Sequence, residues 1–421
     1  MQRVALTLLV LAGTLNYIDR WTLSMANPLI RQDLGLDLKQ MGVLLSAFLW
    51  AYAFSQLPGG ALVDRVGPRR LLGAGLALWS LAQAAAGMVT GLAQFAAARV
   101  FLGAGEAPMF SGAVRVVRDW YNVRDRALPT GIWNATSSLG PTIAPPLLTW
   151  LMLAYGWRWM FILMGIAGVV LAAVWFALYR EPDEVDLNAE ELGYLVAGEP
   201  PGSGRRVTWK EWRALFRYRT TWGLILGFFG IVYLVWLYQS WLPGYLEMQR
   251  HMSIKTTGLV SSIPYACGVV GSVGAGWLAD RLMLRGISPI NSRKLPVILG
   301  LFGMAVFTFG AAVTPSNVVA IGCISGAVFC AGGASGMSWA LASVAAPASC
   351  TASLGSIQNF GGYLGGALAP IVTGYIVQET GSFVPALLVA AAIALASALA
   401  YLVVIPNRVI AFAHPAGALT G

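Results

Sequence analysis

The chain has 421 residues, of which 57% are hydrophobic and only 11% are charged, with a formal net charge of +9. Soluble globular domains carry roughly 25% charged residues, so this composition excludes an ordinary soluble domain and indicates a surface that faces lipid. The four cysteines lie in apolar stretches without metal-ligand spacing, and both histidines fall outside the predicted helices. These positions exclude a cysteine or histidine metal site and histidine chemistry within the membrane.

Apolar blocks of membrane-spanning length recur along the whole chain. A helix needs about 20 apolar residues to cross the hydrocarbon layer. Continuous blocks of this kind exclude a β-barrel, whose strands alternate over short runs. The first block is predicted to remain as a membrane helix, because Asn16–Arg20 stands where a signal peptide would have a small-residue cleavage site. Twelve helices are predicted, centred near residues 16, 51, 80, 105, 138, 169, 231, 268, 302, 328, 363 and 394.

A polar stretch at 181–218 divides the twelve helices into two sets of six. We expect an N-terminal bundle at 1–180, a cytoplasmic linker at 181–218, a C-terminal bundle at 219–405 and a cytoplasmic tail at 406–421. The linker contains a basic and aromatic segment near Trp209–Phe216, which predicts an amphipathic helix lying on the membrane surface.

Two motifs occur once in each half of the chain. Gly60-x-x-x-Asp64-Arg65 after the second helix recurs as Gly276-x-x-x-Asp280-Arg281 after the eighth. Residues of the fifth helix also recur in the eleventh, where Asn134 corresponds to Asn359. The predicted fold class is therefore an all-α membrane protein with two pseudo-symmetric six-helix bundles. Two such bundles can tilt against each other, as alternating access requires.

The positive charges are distributed unequally between the two sides of the predicted membrane. With a cytoplasmic N-terminus, 20 Lys and Arg residues fall on the cytoplasmic side and five on the other side. This asymmetry is the positive-inside pattern, so both termini are expected in the cytoplasm. The net charge is thereby explained by topology, and no nucleic-acid partner is expected.

Four ionisable residues fall inside the predicted helices, namely Asp19, Arg20, Arg99 and Glu106. Each costs roughly 2.5–3.5 kcal/mol at a helix centre, on the order of 10 kcal/mol together before pairing. Two structural ion pairs are one interpretation; a binding and proton site is the favoured one, because intramembrane charges usually mark ion or substrate pathways. Arg99 and Glu106, seven residues apart, share a helix face, whereas Asp19 and Arg20 point about 100° apart. The planar fork of Arg20 suits bidentate capture of a carboxylate.

The middle of the C-terminal helices has no such charge, so this half is expected to contact a ligand through uncharged hydrogen-bonding groups. Charge on one side and hydrogen bonds on the other suit a hydroxyl-rich anion such as a sugar acid. Tyr17 is expected either to share the face of Arg20 or to pack against its neighbours. The uncharged candidates are Gln239, Ser240, Ser335, Ser338, Trp339 and Asn359, and Trp133, Asn134 and Ser137 are further cavity candidates, with a structural role left open for Asn134 and Asn359.

The segment Gly60-x-x-x-Asp64-Arg65-x-Gly67-Pro68-Arg69-Arg70 resembles the signature loop of major facilitator transporters. Asn16–Arg20, Trp50–Gly60 and Arg99–Pro108 resemble the anion:cation symporter family, in particular its bacterial galactonate-type carriers. The resemblance implies a proton-coupled symporter for carboxylates with its site between the halves.

The resemblance also implies roles for individual residues. The match to Arg20 binds the substrate carboxylate and the match to Tyr52 lends it a hydroxyl. The matches to Asp19 and Glu106 take up protons, and Arg99 tunes Asp19.

Asp64 and nearby arginines are predicted to form a gate. An Asp at a helix end can bond neighbouring helix N-termini and arginines such as Arg65 and Arg118. Such pairing would hold the cytoplasmic side closed and break during turnover. For Arg69 and Arg70 the favoured interpretation is a topological role.

The expected function is import of a small organic anion with protons by a monomer in the bacterial inner membrane, with no cofactor. Galactonate leads as substrate, while glucarate, hexuronate, tartrate and aromatic acids stay open. Proton-coupled efflux of cationic drugs is an alternative in which Asp19 and Glu106 bind the cation, but Arg20 would repel it. A sensor that kept the fold is a further alternative. An enzyme is disfavoured, because the helices contain no nucleophile–base set, metal cluster or Walker loop.

Overall fold

The computed structural model describes residues 1–122, 125–196, 209–346, 350–406 and 410. Residues 197–208 of the predicted linker and 407–409 and 411–421 of the predicted tail therefore lie outside the described residues. The described part contains no strand. It consists of helices joined by turns, with a short 3₁₀ segment at Pro182–Glu184. Its helices are α1 Gln2–Met25, α2 Asn27–Leu34, α3 Leu38–Val66, α4 Pro68–Ala86, α5 Leu92–Glu106, α6 Met109–Trp120, α7 Ala127–Asn134, α8 Thr136–Leu178, α9 Ala189–Val196, α10 Trp209–Leu215, α11 Arg219–Met248, α12 Ile254–Val260, α13 Ser262–Leu284, α14 Pro289–Val313, α15 Asn317–Ala345, α16 Thr351–Thr380 and α17 Val384–Val404.

These helices make twelve membrane passes in the described part of the chain. Eight stretches are long and apolar enough to cross a membrane. One of them, at 128–178, is broken into two helices at Gly156, whose φ of 82° lies in the left-handed region, and its 51 residues are long enough for two passes. The more polar α1, α3 and α4 supply three more, with 24, 29 and 19 residues. The twelve predicted helices are thus confirmed, each near its predicted centre.

Three passes are interrupted along their length. The fourth breaks between α5 and α6 at Ala107 and Pro108, the fifth between α7 and α8 at Ala135, and the eighth between α12 and α13 at Ser261. Proline lacks a backbone N–H and cannot continue the ladder of hydrogen bonds, which accounts for the break at Pro108. Discontinuous membrane helices commonly lie beside transport sites, and Glu106 is the last residue of α5.

The passes pack as two bundles. In the N-terminal half α8 packs on α1 and α4, and α5 packs on α3 and α4. In the C-terminal half α15 packs on α13 and α14, α16 on α11, and α17 on α14. The halves meet where α3 packs on α16, α8 on α13 and α1 on α11. A site between the halves can therefore draw side chains from these facing helices and from the helices packed directly behind them.

The halves are joined at the end of the molecule opposite the start of α1 and the end of α17. Lys39 forms an ion pair with Glu379 across this end, and the backbone N–H of Leu38 donates to Oε1 of Gln378 at 3.0 Å. Deeper in the same interface, the hydroxyl of Ser46 donates to a carbonyl of α16. These contacts close this end.

Space between the halves is found toward the other end. The rings of Phe110 and Trp339 face each other across the halves at 6.5 Å between centroids, yet they stay 44% and 38% exposed. Since these two apolar side chains belong to different halves, their exposure shows that the interface is not sealed there.

The first part of the linker binds the N-terminal bundle. Oε1 of Glu181 accepts the backbone N–H of Arg69 at 3.0 Å, and the Arg69 guanidinium pairs with Glu184 at 2.7 Å. The pKa of Glu184 is lowered, chiefly by the N–H that Glu181 donates to it and further by Arg69. Arg69 was predicted to have a topological role only. It also attaches the linker, because it lies in the first turn of α4, which Glu181 and Glu184 contact.

Two of the cations on the predicted cytoplasmic side belong to a helix. Arg115 and Arg118 are on the last turns of α6. A helix is present in the segment predicted near Trp209–Phe216, as α10, with the rings of Trp209 and Trp212 stacked at 4.8 Å, and its place on the membrane surface stays a prediction.

Candidate functional site

The charged residues predicted from α1 and α5 meet inside the N-terminal half. The Nε of Arg20 donates to Oε2 of Glu106 at 2.8 Å, and both side chains are buried. Arg99 and Asp19 are close enough to interact electrostatically with each other and with Glu106. The i, i+7 spacing on α5 brings Arg99 and Glu106 to the same side of that helix, as predicted.

Aromatic rings enclose the Arg20 guanidinium. Its Cζ lies 5.0 Å from the ring centroid of Tyr17, 5.2 Å from that of Phe48 and 4.9 Å from that of Tyr52. Such cation–π contacts are worth about 2 kcal/mol or more when desolvated. Tyr17 therefore does share the Arg20 face, and Tyr52 stands beside the group it was predicted to assist.

Several buried polar atoms of this cluster make no hydrogen bond within the described residues. They are both carboxylate oxygens of Asp19, Oε1 of Glu106, Nε and Nη1 of Arg99, and Nδ2 of Asn16. Leaving a buried donor or acceptor unpaired costs roughly 1–3 kcal/mol, and native structures contain only a few. If the cluster were only two structural salt bridges, these atoms would be hydrogen-bonded. Their concentration beside Arg20 is typical of a group that binds ligand or takes up protons.

The C-terminal half contributes an aromatic wall that the sequence analysis missed. The ring of Tyr363 on α16 lies 4.9 Å from that of Tyr52, and Trp236 on α11 lies 6.0 Å from Phe48. Tyr363 is also close enough to Arg20 to interact with it electrostatically. The sequence feature that could have identified Tyr363 is a single tyrosine in a glycine-rich helix. The glycines let α16 approach α11 closely, which brings the ring inward.

The uncharged candidates of the C-terminal half occupy different environments. Nδ2 of Asn359 donates to Oε1 of Gln56 at 3.1 Å, a hydrogen bond across the halves. Gln239 is 7% exposed, and its Nε2 makes no hydrogen bond within the described part. Ser335 is partly buried. Trp339 packs edge-on against Phe228 at 5.9 Å.

Two candidates have surroundings that suggest other roles. The hydroxyl of Ser338 is buried against the hydroxyl of Tyr401 inside the C-terminal bundle, where it ties α15 to α17. Asn134, the sequence counterpart of Asn359, is exposed. The two asparagines therefore do not share one symmetric environment.

The predicted gate is resolved only in part. The side chain of Asp64 lies outside the described residues, and Arg65 is exposed. Nε of Arg118 lies 3.8 Å from Oδ1 of Asp119, whereas Arg115 binds the same carboxylate at 2.8 Å. The proposed pairing of Asp64 with Arg118 stays a prediction.

The chain is similar to known transport proteins over most of its length. The Major Facilitator Superfamily model matches residues 9–370. The chain is 44% identical over 402 residues to a protein of Escherichia coli (strain K12) named as a probable L-galactonate transporter, covering 96% of this chain and 89% of that one. It is 32% identical over 412 residues to the D-galactonate transporter of Escherichia coli O6:H1, covering 96% and 95%. A probable galactarate/D-glucarate transporter of Bacillus subtilis is 34% identical over 416 residues, covering 94% and 90%.

Solved structures show the same fold at low sequence identity. A bacterial homolog of the human lysosomal transporter Spinster, in an inward-facing and unoccupied conformation, superposes with a TM-score of 0.77 at 18% identity, covering 96% of this chain and 95% of that one. A D-xylose–proton symporter superposes with a TM-score of 0.75 at 14% identity, covering 96% and 97%.

Two helical bundles around buried charges define a membrane transporter of the alternating-access type. The chain belongs to the Major Facilitator Superfamily. It is a transporter and not an enzyme. The individual roles predicted for its site residues stay predictions.

Proposed function

We propose that this protein imports a sugar acid of the galactonate type together with protons. The observation that carries the proposal is the buried Arg20 guanidinium, whose one side-chain hydrogen bond within the described residues runs from Nε to Glu106. A guanidinium with a free edge fits a carboxylate in bidentate geometry. The named substrates of the relatives, galactonate, galactarate and glucarate, are all hydroxylated carboxylates.

Recognition of the hydroxyl groups is proposed for the C-terminal half. Gln239 and Asn359 can donate and accept hydrogen bonds, and Ser335 can do both through one hydroxyl. A site built to bond substrate hydroxyls rejects analogues that lack them, because its own polar groups are then left unpaired. Trp339 offers an apolar face to the carbon chain.

Coupling to protons follows from competition for Arg20. In the present arrangement Glu106 neutralises Arg20 as a hydrogen-bonded carboxylate. A substrate carboxylate bound to the terminal nitrogens of Arg20 competes with Glu106 for the same positive charge, so Glu106 becomes a poorly compensated buried charge that is stabilised by taking up a proton. Asp19 beside Arg99 is proposed as the second protonatable group. Protons are the coupling ion, and no other cofactor is proposed.

Uptake into proteoliposomes tests the substrate and the coupling together. We expect accumulation of L- or D-galactonate that requires an acidic exterior and stops when the pH gradient is collapsed. Galactarate, glucarate, a hexuronate, tartrate and an aromatic acid complete the panel. Accumulation without any pH dependence would contradict coupling, and transport of organic cations alone would support the efflux alternative.

Substitution of Arg20 by lysine tests the anion site. Lysine keeps the charge but replaces the planar fork by a point charge. We expect Arg20→Lys to raise KM for galactonate by about tenfold or more, since loss of one charge-assisted hydrogen bond costs roughly 1.5–3 kcal/mol. The matched control is Arg158→Lys. Arg158 lies away from the charged cluster, where its guanidinium binds Asp33 and backbone carbonyls. An unchanged KM in Arg20→Lys would sink the carboxylate assignment.

The cellular setting is proposed from the charge asymmetry and the relatives. The twelve passes make this a membrane protein. We place it in a bacterial inner membrane with both termini in the cytoplasm, acting as a monomer on a small organic anion.

A further inference from the structure

The ring of Phe48 on α3 is shared by both arginines of the site. Its centroid lies 5.2 Å from Cζ of Arg20 and 5.1 Å from Cζ of Arg99. The side chain is fully buried. The negative face of an aromatic ring attracts a cation, so one ring contributes to the position of both guanidinium groups.

Two buried cations in one site need a neighbouring group that stabilises both. Arg20 and Arg99 are close enough to repel each other, and this repulsion grows as the dielectric constant of the surroundings falls. Glu106 offsets it at Arg20 through the hydrogen bond, and Glu106 and then Asp19 offset it at Arg99 at a distance. An aliphatic side chain at position 48 would fill the same space without attracting either cation.

Phe48 also contacts Tyr52, which is proposed to assist substrate binding, and the C-terminal half. Its ring lies 5.8 Å from that of Tyr52 and 6.0 Å from that of Trp236 on α11. Movement of the C-terminal half against α3 therefore acts on the ring that supports the arginines. The charged and titratable groups around it are Asp19, Arg20 and Tyr17 from α1, Tyr52 from α3, Arg99 and Glu106 from α5, and Tyr363 from α16.

We propose that Phe48 is a positioning residue that links substrate binding to proton uptake by supporting Arg20 against Glu106 and Arg99 near Asp19. This inference rests on the proposed function. A substrate carboxylate that draws Arg20 away from the ring changes the field at Arg99, and the change reaches Asp19 without any direct contact between substrate and Asp19.

A fluorination series at position 48 tests the electrostatic part of this role. Phenylalanines with one, two and three ring fluorines, introduced by nonsense suppression, weaken the negative ring face at nearly constant volume. We expect log KM for galactonate to rise steadily with fluorine number, by about tenfold over the series, equivalent to about 1.4 kcal/mol. The pH optimum of uptake should move in the same order.

The same series at Phe95 is the matched control. Phe95 is equally buried, but its ring packs on Trp157 at 6.3 Å and Phe161 at 5.6 Å, and no cation lies over it in the described part of the chain. A flat response there, with a slope at position 48, supports the proposal. Equal slopes at both positions, or none at position 48, overturn it.

Conventional variants and a substrate-free readout complete the test. Phe48→Leu should raise KM, and Phe48→Trp should restore it by restoring a π face. Infrared titration of the buried carboxyl groups without substrate should shift with fluorine number at position 48. If no sugar acid is transported by the unmodified protein but this titration shifts, the proposed function fails and the positioning role stands. If transport is normal and neither KM nor titration responds, the positioning role alone fails.

Discussion

At the scale of single residues, the four buried charges are not equivalent. Glu106 has a hydrogen-bonded cation as partner, whereas neither oxygen of Asp19 has a hydrogen bond within the described residues. Removing one member of a buried pair usually costs about 3–5 kcal/mol, because the other charge stays uncompensated. An amide of the same shape keeps an acceptor for Arg20, so substitutions at these acids should be conservative.

Asp19→Asn and Glu106→Gln should separate transport from proton coupling. Each amide resembles the protonated carboxyl group and cannot release a proton. We expect both variants to lose accumulation driven by a pH gradient and to retain galactonate exchange between two loaded compartments. Asp33→Asn is the control, because Asp33 pairs with Arg158 at a partly exposed site. Uphill accumulation by either site variant would show that its acid does not carry the coupling proton.

At the scale of elements, close backbone contact between α3 and α16 decides how the halves close. A Cβ on Gly42 would lie 2.7 Å from the carbonyl oxygen of Pro370, a contact that side-chain rotation cannot relieve. The small residue at this position therefore allows the two helices to touch at the end opposite the termini. Overpacking of such a contact costs roughly 1–3 kcal/mol.

Gly42→Ala should shift the protein away from the form closed at this end. We expect uptake to fall about fivefold or more, in line with a cost of roughly 1–3 kcal/mol in the closed form. Spin labels on Gln32 and Ser382 should report a longer distance between the halves. Gly59→Ala on the same helix is the control, since its Cβ would have no neighbour closer than 3.8 Å. An unchanged distance in Gly42→Ala would show that this contact does not limit closure.

At the scale of the whole molecule, the distribution of charge predicts which end faces the cytoplasm. Two of the five cations on the sparse side are also held by backbone carbonyls, Arg158 at Gly87 and Val89 and Arg250 at Ala311 and Thr314. These cations therefore have a structural role in addition to their place in the topology. The positive-inside pattern predicts that both termini lie on the cytoplasmic side.

Cysteine labelling in intact cells can measure this orientation. In a background without the four natural cysteines, Gln32→Cys should react with a membrane-impermeant maleimide and Asp186→Cys should react only after the cells are permeabilised. Both positions are exposed, so a difference reports topology and not burial. The reverse pattern would place the termini outside and invert the proposed direction of proton flow.

The sequence alone determined the number of passes, the division into halves and the set of buried charges. Each of these follows from a local rule: a pass needs about 20 apolar residues, a repeat is visible in the residues themselves, and a charge in an apolar block is costly wherever its neighbours lie. Tertiary structure decided that Arg20 bonds Glu106, that Phe48 serves both arginines, that Tyr363 and Trp236 reach the site, and that Asn359 and not Asn134 bridges the halves. These contacts depend on the rotation, depth and separation of helices that are far apart in the chain, and helix packing alone sets those quantities.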